Sequence, residues 1–147
     1  FFVDASGHAR HDYCVFDKTS NGLVTGDTFG ASYPQLNYGR APLIFPPTTP
    51  VQFDPEAWIQ SLKALMSLKP ERVFLTHYGM HEGLSELATQ LRLTIKDYAG
   101  IAVEYAKHNN RTERIAAALL QASVDHLLDQ ECGIPESQIR DLLAEDM

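Results

Sequence analysis

The residues best suited to chemistry near the start of the chain are His8 and His11, in the stretch SGHARHDY at positions 6–13. Neutral imidazole is the commonest side-chain ligand for zinc, copper or iron, and the glycine before His8 lets the backbone come close to a buried ion. The plainer reading is a pair of loop histidines with no ligand duty. Two later positions offer matching groups: Asp27 in GLVTGD and His77 in RVFLTH. One carboxylate with two imidazoles suits zinc, manganese or iron, and an aspartate has two oxygens with which to bridge two ions. Whether the three groups meet depends on the elements that carry them.

Each is expected at the end of a strand. His8 follows the apolar opening FFV. DYCVF and GLVTG are short β-prone runs joined by DKTSNG, whose Asn21-Gly22 is a turn signal, so they predict a hairpin with Asp27 at the end of its second strand. RVFLTH reads as a buried strand that delivers His77 at its C-terminal end, with Gly79 permitting a sharp exit. A sheet edge holds such backbone still while the side chains reach a cleft.

Between the hairpin and that strand lies a long segment from Thr28 to Asp54, with Pro34, Pro42, Pro46, Pro47 and Pro50 interleaved with Tyr33, Tyr38, Phe45 and Phe53. Its length and aromatic content predict an ordered loop packed over something. Asp54-Pro55 then opens a helix as cap and first-turn proline, Trp58, Ile59, Leu62, Leu65 and Met66 follow at helical spacing, and Pro70 closes it. After Gly83 the pattern is helical almost to the end. Leu84, Leu87, Leu91, Ile95, Tyr98, Ile101 and Tyr105 mark one long face; Ile115, Leu119 and Ala122 mark a second helix after Asn109-Asn110; Ile139, Leu142 and Leu143 mark a third behind Pro135. These stripes read as core packing.

Bulk composition narrows the function classes. The chain has 147 residues, 44% hydrophobic, enough for one domain with a core. Nineteen acidic residues against twelve basic give a net charge of −7 with no Lys/Arg cluster, which disfavours a nucleic-acid partner. Cys14 and Cys132 lie far apart without a CxxC, so neither a disulfide framework nor a cysteine zinc site is indicated, and a reducing cytoplasm fits best. No apolar run approaches the ~20 residues of a membrane span. The abrupt start at Phe1 reads as a cut from a longer protein.

The run VDASGHARHDYCVFDKTSNGLVTGDTFG followed by ERVFLTHYG resembles the C-terminal half of metallo-β-lactamase-fold hydrolases, where PGH, GD and a strand-end H supply three of the metal ligands. The resemblance covers about residues 1–80. It implies that His8 binds a first metal, that Asp27 bridges two, and that His77 binds the second, with zinc the expected ion and manganese or iron as alternatives. Asp27 would also be the catalytic carboxylate, orienting the attacking water. Zinc β-lactamases carry cysteine at the position related to Asp27, whereas glyoxalase-II-like thioesterases and lactonases carry aspartate. Hydrolysis of an ester, thioester or lactone is therefore implied rather than hydrolysis of an antibiotic.

Three departures qualify the match. Ser6 stands where the family usually has proline, and His11 where many members have glycine; His11 is read as a supporting or surface group. No HxHxDH segment, the source of the family's other ligands, occurs in the 147 residues, and His81, His108 and His126 fall singly in the helical part. The expected architecture is α/β (α+β): residues 1–80 form the C-terminal half of an αββα sandwich, with one mixed or antiparallel sheet and helix 54–69 on its outer face, and residues 81–147 form a helical extension. Alone, such a chain is expected to be inactive, and to form a homo-oligomer because the missing half would cover one face of the sheet. Its partner otherwise is a small-molecule substrate. The alternative is a non-catalytic helical interaction or dimerisation module on a degenerate sheet domain.

Overall fold

A computed structural model describes residues 1–36, 42–48, 52–130 and 133–144. Tyr38, Pro50 and Cys132 lie outside the described residues. Five short strands form one mixed sheet in sequence order: β1 (Phe2–Asp4), β2 (Tyr13–Asp17), β3 (Gly22–Val24), β4 (Arg72–Phe74) and β5 (Met80–His81). The β2–β3 hairpin is present, with Asn21 at φ +49° in its connection. All neighbours pair antiparallel except β3 and β4, which are parallel, with Val24 opposite Phe74. Consequently β1, β3 and β4 run in one direction and their C-terminal ends share one edge.

α1 (Pro55–Ser67) starts where Asp54 accepts the Ala57 N–H at 3.0 Å, and ends as Leu68 caps it and Lys69 turns at φ +53° before Pro70. Three more helices follow: α2 (Leu84–Tyr105), α3 (Arg111–Asp129) and α4 (Glu136–Leu143). His81 is an exception to the helical reading. Tyr78 and Gly79 both adopt positive φ, which turns the chain back so that Met80 and His81 pair with Phe74 and Val73 as an edge strand. His108 sits in the connection between α2 and α3, and His126 lies on α3.

One face of the sheet is covered. Cys14, Phe16, Leu23 and Val73 pack in a single core with Trp58, Leu62 and Leu65 of α1 and with Leu84, Leu87, Leu91 and Ile95 of α2. α2 therefore shares the core of the sheet. The opposite face is open: the strand registers align Phe2, Val15, Val24, Phe74 and Met80, one from each strand, and four of these, all but Val15, are exposed.

The long segment after β3 is ordered where it is described, and it is shared between two cores. Phe29 and Ile44 face the first, while Ala31, Leu36, Leu43 and Phe45 face a second made with Val124 and Leu127 of α3 and Ile139 and Leu143 of α4. Ala31 and Phe45 exchange backbone hydrogen bonds at 2.9 and 3.1 Å. Gln90 on α2 holds the same segment: its Oε1 accepts the Ile44 N–H at 3.4 Å while its Nε2 lies 2.8 Å from His126 Nε2. No helix among the described residues is long and apolar enough to cross a membrane.

Candidate metal centre

Because Val24 and Phe74 are in register on parallel strands, Asp27 and His77 each lie three residues past the same edge. The ladder continues one step further, where the Thr25 N–H donates to the Phe74 carbonyl at 3.2 Å. Beyond it, the chain around Asp27 is a tight turn: Gly26 takes φ +54°, the Thr28 N–H donates to Thr25 O at 3.0 Å, and the Gly30 N–H donates to Asp27 O at 2.9 Å. His77 is set by the Ser32 N–H, which reaches its carbonyl at 3.3 Å. His8 arrives from β1 through Gly7.

The three groups meet at that edge. Asp27 stands between the histidines, with Oδ2 at 3.9 Å from His8 Nε2 and Oδ1 at 3.4 Å from His77 Nε2. His8 is nearly buried, whereas half of the His77 side chain is exposed, so the site opens to solvent on the His77 side. Two atoms in it are buried and lack a hydrogen-bond partner: His8 Nε2 and Asp27 Oδ1, the 3.4 Å approach to His77 not being aligned for one. Stranded polar atoms of this kind are costly in a native protein unless a ligand satisfies them. An imidazole nitrogen and a carboxylate oxygen left without partners at one edge are donor types that suit a divalent cation. Among the described residues no group of three His, Cys, Asp or Glu side chains is placed so that it could hold a metal ion by itself.

The support behind His8 escaped the sequence reading. Asp12 Oδ2 accepts from His8 Nδ1 at 2.9 Å and from the Ala9 N–H at 2.8 Å. With Nδ1 committed to that carboxylate, the ring presents its Nε2 lone pair outward, the arrangement found behind metal-bound histidines. The one signal in the sequence was a carboxylate four residues after a candidate ligand. Trp58 is the second support. Its ring meets His8 edge-on at 5.3 Å and its indole N–H donates to Thr28 O at 2.6 Å, so one fully buried side chain steadies both His8 and the residue after Asp27. Sequence spacing marks Trp58 only as core.

Gly7 explains the glycine before His8. It takes φ +134°, and a Cβ there would fall 2.2 Å from the Trp58 backbone, so nothing larger fits between the His8 loop and α1. His11, by contrast, is exposed in the turn before β2. His126 stands apart from the centre, bonded to Gln90 and to Gln130; burial lowers its pKa, with Asp129 and Asp97 pulling the other way.

The sequence model of the metallo-beta-lactamase superfamily matches residues 2–77, just over half of the chain, including all three edge residues. The chain belongs to the metallo-β-lactamase superfamily. A relative, the metallo-beta-lactamase fold-containing protein ST1585 of Sulfurisphaera tokodaii, is 34% identical over 105 residues, which cover 67% of this chain and 36% of the relative. The chain thus spans about a third of that protein's length. The crystal structure described as the first of an archaeal metallo-beta-lactamase superfamily protein, ST1585 from Sulfolobus tokodaii, aligns with a TM-score of 0.47 and 24% identity, covering 67% of this chain and 32% of that one. Metal binding is general in the superfamily, and the stranded atoms at the His8–Asp27 edge are where this chain is suited to it.

Proposed function

We propose that His8, Asp27 and His77 would hold the metal of a hydrolase centre acting on an ester, thioester or lactone. The observation that carries this reading is the convergence of two buried, unpartnered atoms, His8 Nε2 and Asp27 Oδ1, at one sheet edge in a chain of this superfamily. Zinc suits the donor set, and manganese or iron shares it. When bound, such ions supply Lewis acidity toward a substrate oxygen and make a water more acidic. The chain's own residues do the positioning: Asp12 fixes the His8 tautomer, Trp58 locks the His8 and Asp27 loops together, and the Asp27 carboxylate supplies negative charge and a hydrogen-bond acceptor for the attacking water.

Three side chains are about half the donors of a two-metal centre, so the 147-residue chain alone is proposed to be catalytically silent. The setting we propose is the reducing cytoplasm, with a small-molecule substrate, neither nucleic acid nor membrane as partner, and a second copy of the chain over the open sheet face.

The test is to purify the chain without chelator, count metal by mass spectrometry, and assay thioester, lactone and phosphodiester substrates with added zinc or manganese. Substoichiometric metal and no turnover are expected. In a protein carrying a complete donor set, Asp27→Ala should lose at least one equivalent of metal and most activity; two retained ions with normal turnover would sink the assignment. A second reading, a non-catalytic helical interaction or dimerisation module, is favoured by the apolar row across the open face. Metal content separates the two, since that module has no need of His8, Asp27 and His77.

A further inference from the structure

His126 of α3 faces α2 and the segment after β3, and its Nε2 meets two side-chain amide nitrogens, Gln90 Nε2 at 2.8 Å and Gln130 Nε2 at 2.9 Å. The Gln90 amide is fixed in this sense because its Oε1 accepts the Ile44 N–H at 3.4 Å. An amide nitrogen only donates, so His126 Nε2 must accept, and the ring is neutral with its proton on Nδ1. A cavity of about 40 Å³ lies beside it, ample for a water molecule that brings a second proton. Protonation would turn the acceptor into a donor facing two NH2 groups. Gln130 Oε1 has no hydrogen bond among the described residues, so Gln130 can swing its oxygen onto the new proton. Gln90 can do so only by giving up Ile44.

Ile44 stands at the join of the two cores, its own side chain in the first and those of Leu43 and Phe45 in the second. Phe45 exchanges backbone hydrogen bonds with Ala31, and the next residue, Ser32, donates its N–H to the His77 carbonyl. We propose that His126 is a proton-sensitive latch: neutral, it holds segment 43–45 to α2 through Gln90; protonated, it releases that segment and loosens the His77 loop. The charges that bear on the ring are Asp129 of α3 and Asp97 of α2, which favour its protonation, while burial disfavours it more and holds it below the ordinary 6.5. The other titratable groups nearby are engaged: Tyr98 of α2 with Ser123, Asp125 of α3 with Gln121, and Arg140 of α4 with Glu136 and Gln121. Segment 42–48 brings none. Since the folded chain binds this proton more weakly than the unfolded one, the latched state is stabilised above pH 6.5 and loses that support as pH falls through the lower, folded value.

The test is amide hydrogen exchange of the 147-residue chain, read by NMR and corrected for the intrinsic pH dependence of exchange, beside a titration of the His126 ring. The range runs from about pH 7.5 to about pH 4.5, across and below the usual imidazole value. Ile44 protection should fall about five- to tenfold, the scale of one lost hydrogen bond, with the same midpoint as His126, and Ser32 protection should follow. His126→Gln cannot titrate and should abolish the fall. Gln90→Glu should reverse it, because a carboxylate accepts from Ile44 and from the protonated ring together: the His126 midpoint should rise and Ile44 should stay protected in acid. Either variant decides the matter if the other does not fold. A ring that stays neutral throughout, Ile44 protection that ignores pH, or a fall that persists in folded His126→Gln or Gln90→Glu overturns the latch. Loosening at Ile44 with Ser32 unchanged overturns its reach to His77.

Discussion

His8 Nδ1 lies 2.9 Å from Asp12 Oδ2, and the same oxygen accepts the Ala9 N–H at 2.8 Å. One carboxylate thereby fixes both the loop that carries His8 and the tautomer of its ring. Removing it frees the imidazole to rotate and to move its proton to Nε2, where it would block a metal. Asp12→Ala is expected to reduce metal affinity in a protein with the full donor set by about 10–100-fold. Asp12→Asn, which still accepts through its amide oxygen, should fall between. The check is zinc competition against a chromogenic chelator; affinity unchanged in Asp12→Ala would remove Asp12 from the site.

Gly7 packs against the Trp58 backbone so closely that a Cβ has no room, at a φ that disfavours any side chain. Gly7→Ala therefore has to push the His8 loop away from α1, breaking in turn the Gly7 O to Asp54 N–H hydrogen bond of 2.9 Å at the helix start. We expect a loss of about 1–3 kcal/mol, typical of overpacking, together with a shifted His8 ring. Urea denaturation reads the first and histidine NMR the second. A substitution without cost would show that the loop and helix are not tightly joined.

Much of this centre was visible before the fold. SGH, TGD and LTH each follow a β-prone run, and the short-range signals for the hairpin, for the Asp54-Pro55 helix start and for the helices after Gly83 all correspond to elements that formed. The strand is shorter than RVFLTH suggests: β4 ends at Phe74, leaving His77 on a loop, because the backbone turns tightly from Leu75 to Gly79, where the Leu75 N–H donates to Gly79 O at 3.0 Å. His81 was misplaced for a related reason, since pairing with Val73 depends on the positive φ of Tyr78, a conformation that no tyrosine advertises. Asp12 and Trp58 were missed as site residues because their roles are contacts, and neither composition nor periodicity reports which ring faces which.

Two buried protons set the alkaline behaviour. Cys14 is fully buried in β2 and burial pushes its thiol up to about 11 from 9.0; Tyr98, bonded to Ser123 Oγ at 2.8 Å, is pushed by burial up to about 12 from 10.0. In both, the folded chain holds the proton more tightly than the unfolded chain. Their contribution is thus complete below pH 9 and is lost as pH rises through about 11 and 12. The urea midpoint should fall steadily from pH 9 to pH 11. In a Cys132→Ser background, Cys14 should resist a disulfide-exchange reagent at about pH 8 until the chain is unfolded; rapid native-state labelling would contradict its burial.

The last prediction concerns the open sheet face. Phe2, Val24, Phe74 and Met80 are 73%, 49%, 37% and 48% exposed, and together with Val15 they form a row across all five strands. At about 4.8 Å between strands the row is about 19 Å wide, a contiguous apolar surface of the kind that marks a contact site. Not all of the apolar hairpin faces this way: Cys14, Phe16 and Leu23 point to the covered side, so the row draws on alternate residues only. We propose that two copies pair through it, sheet against sheet, as two such faces do in a sandwich. Light scattering should then give a mass that rises with concentration toward at least twice that of the chain. Val24→Lys with Phe74→Glu places charges in the middle of the row without touching the covered core, and should return the chain to a monomer with its denaturation midpoint little changed. A compact monomer of the unsubstituted chain at high concentration would refute the pairing.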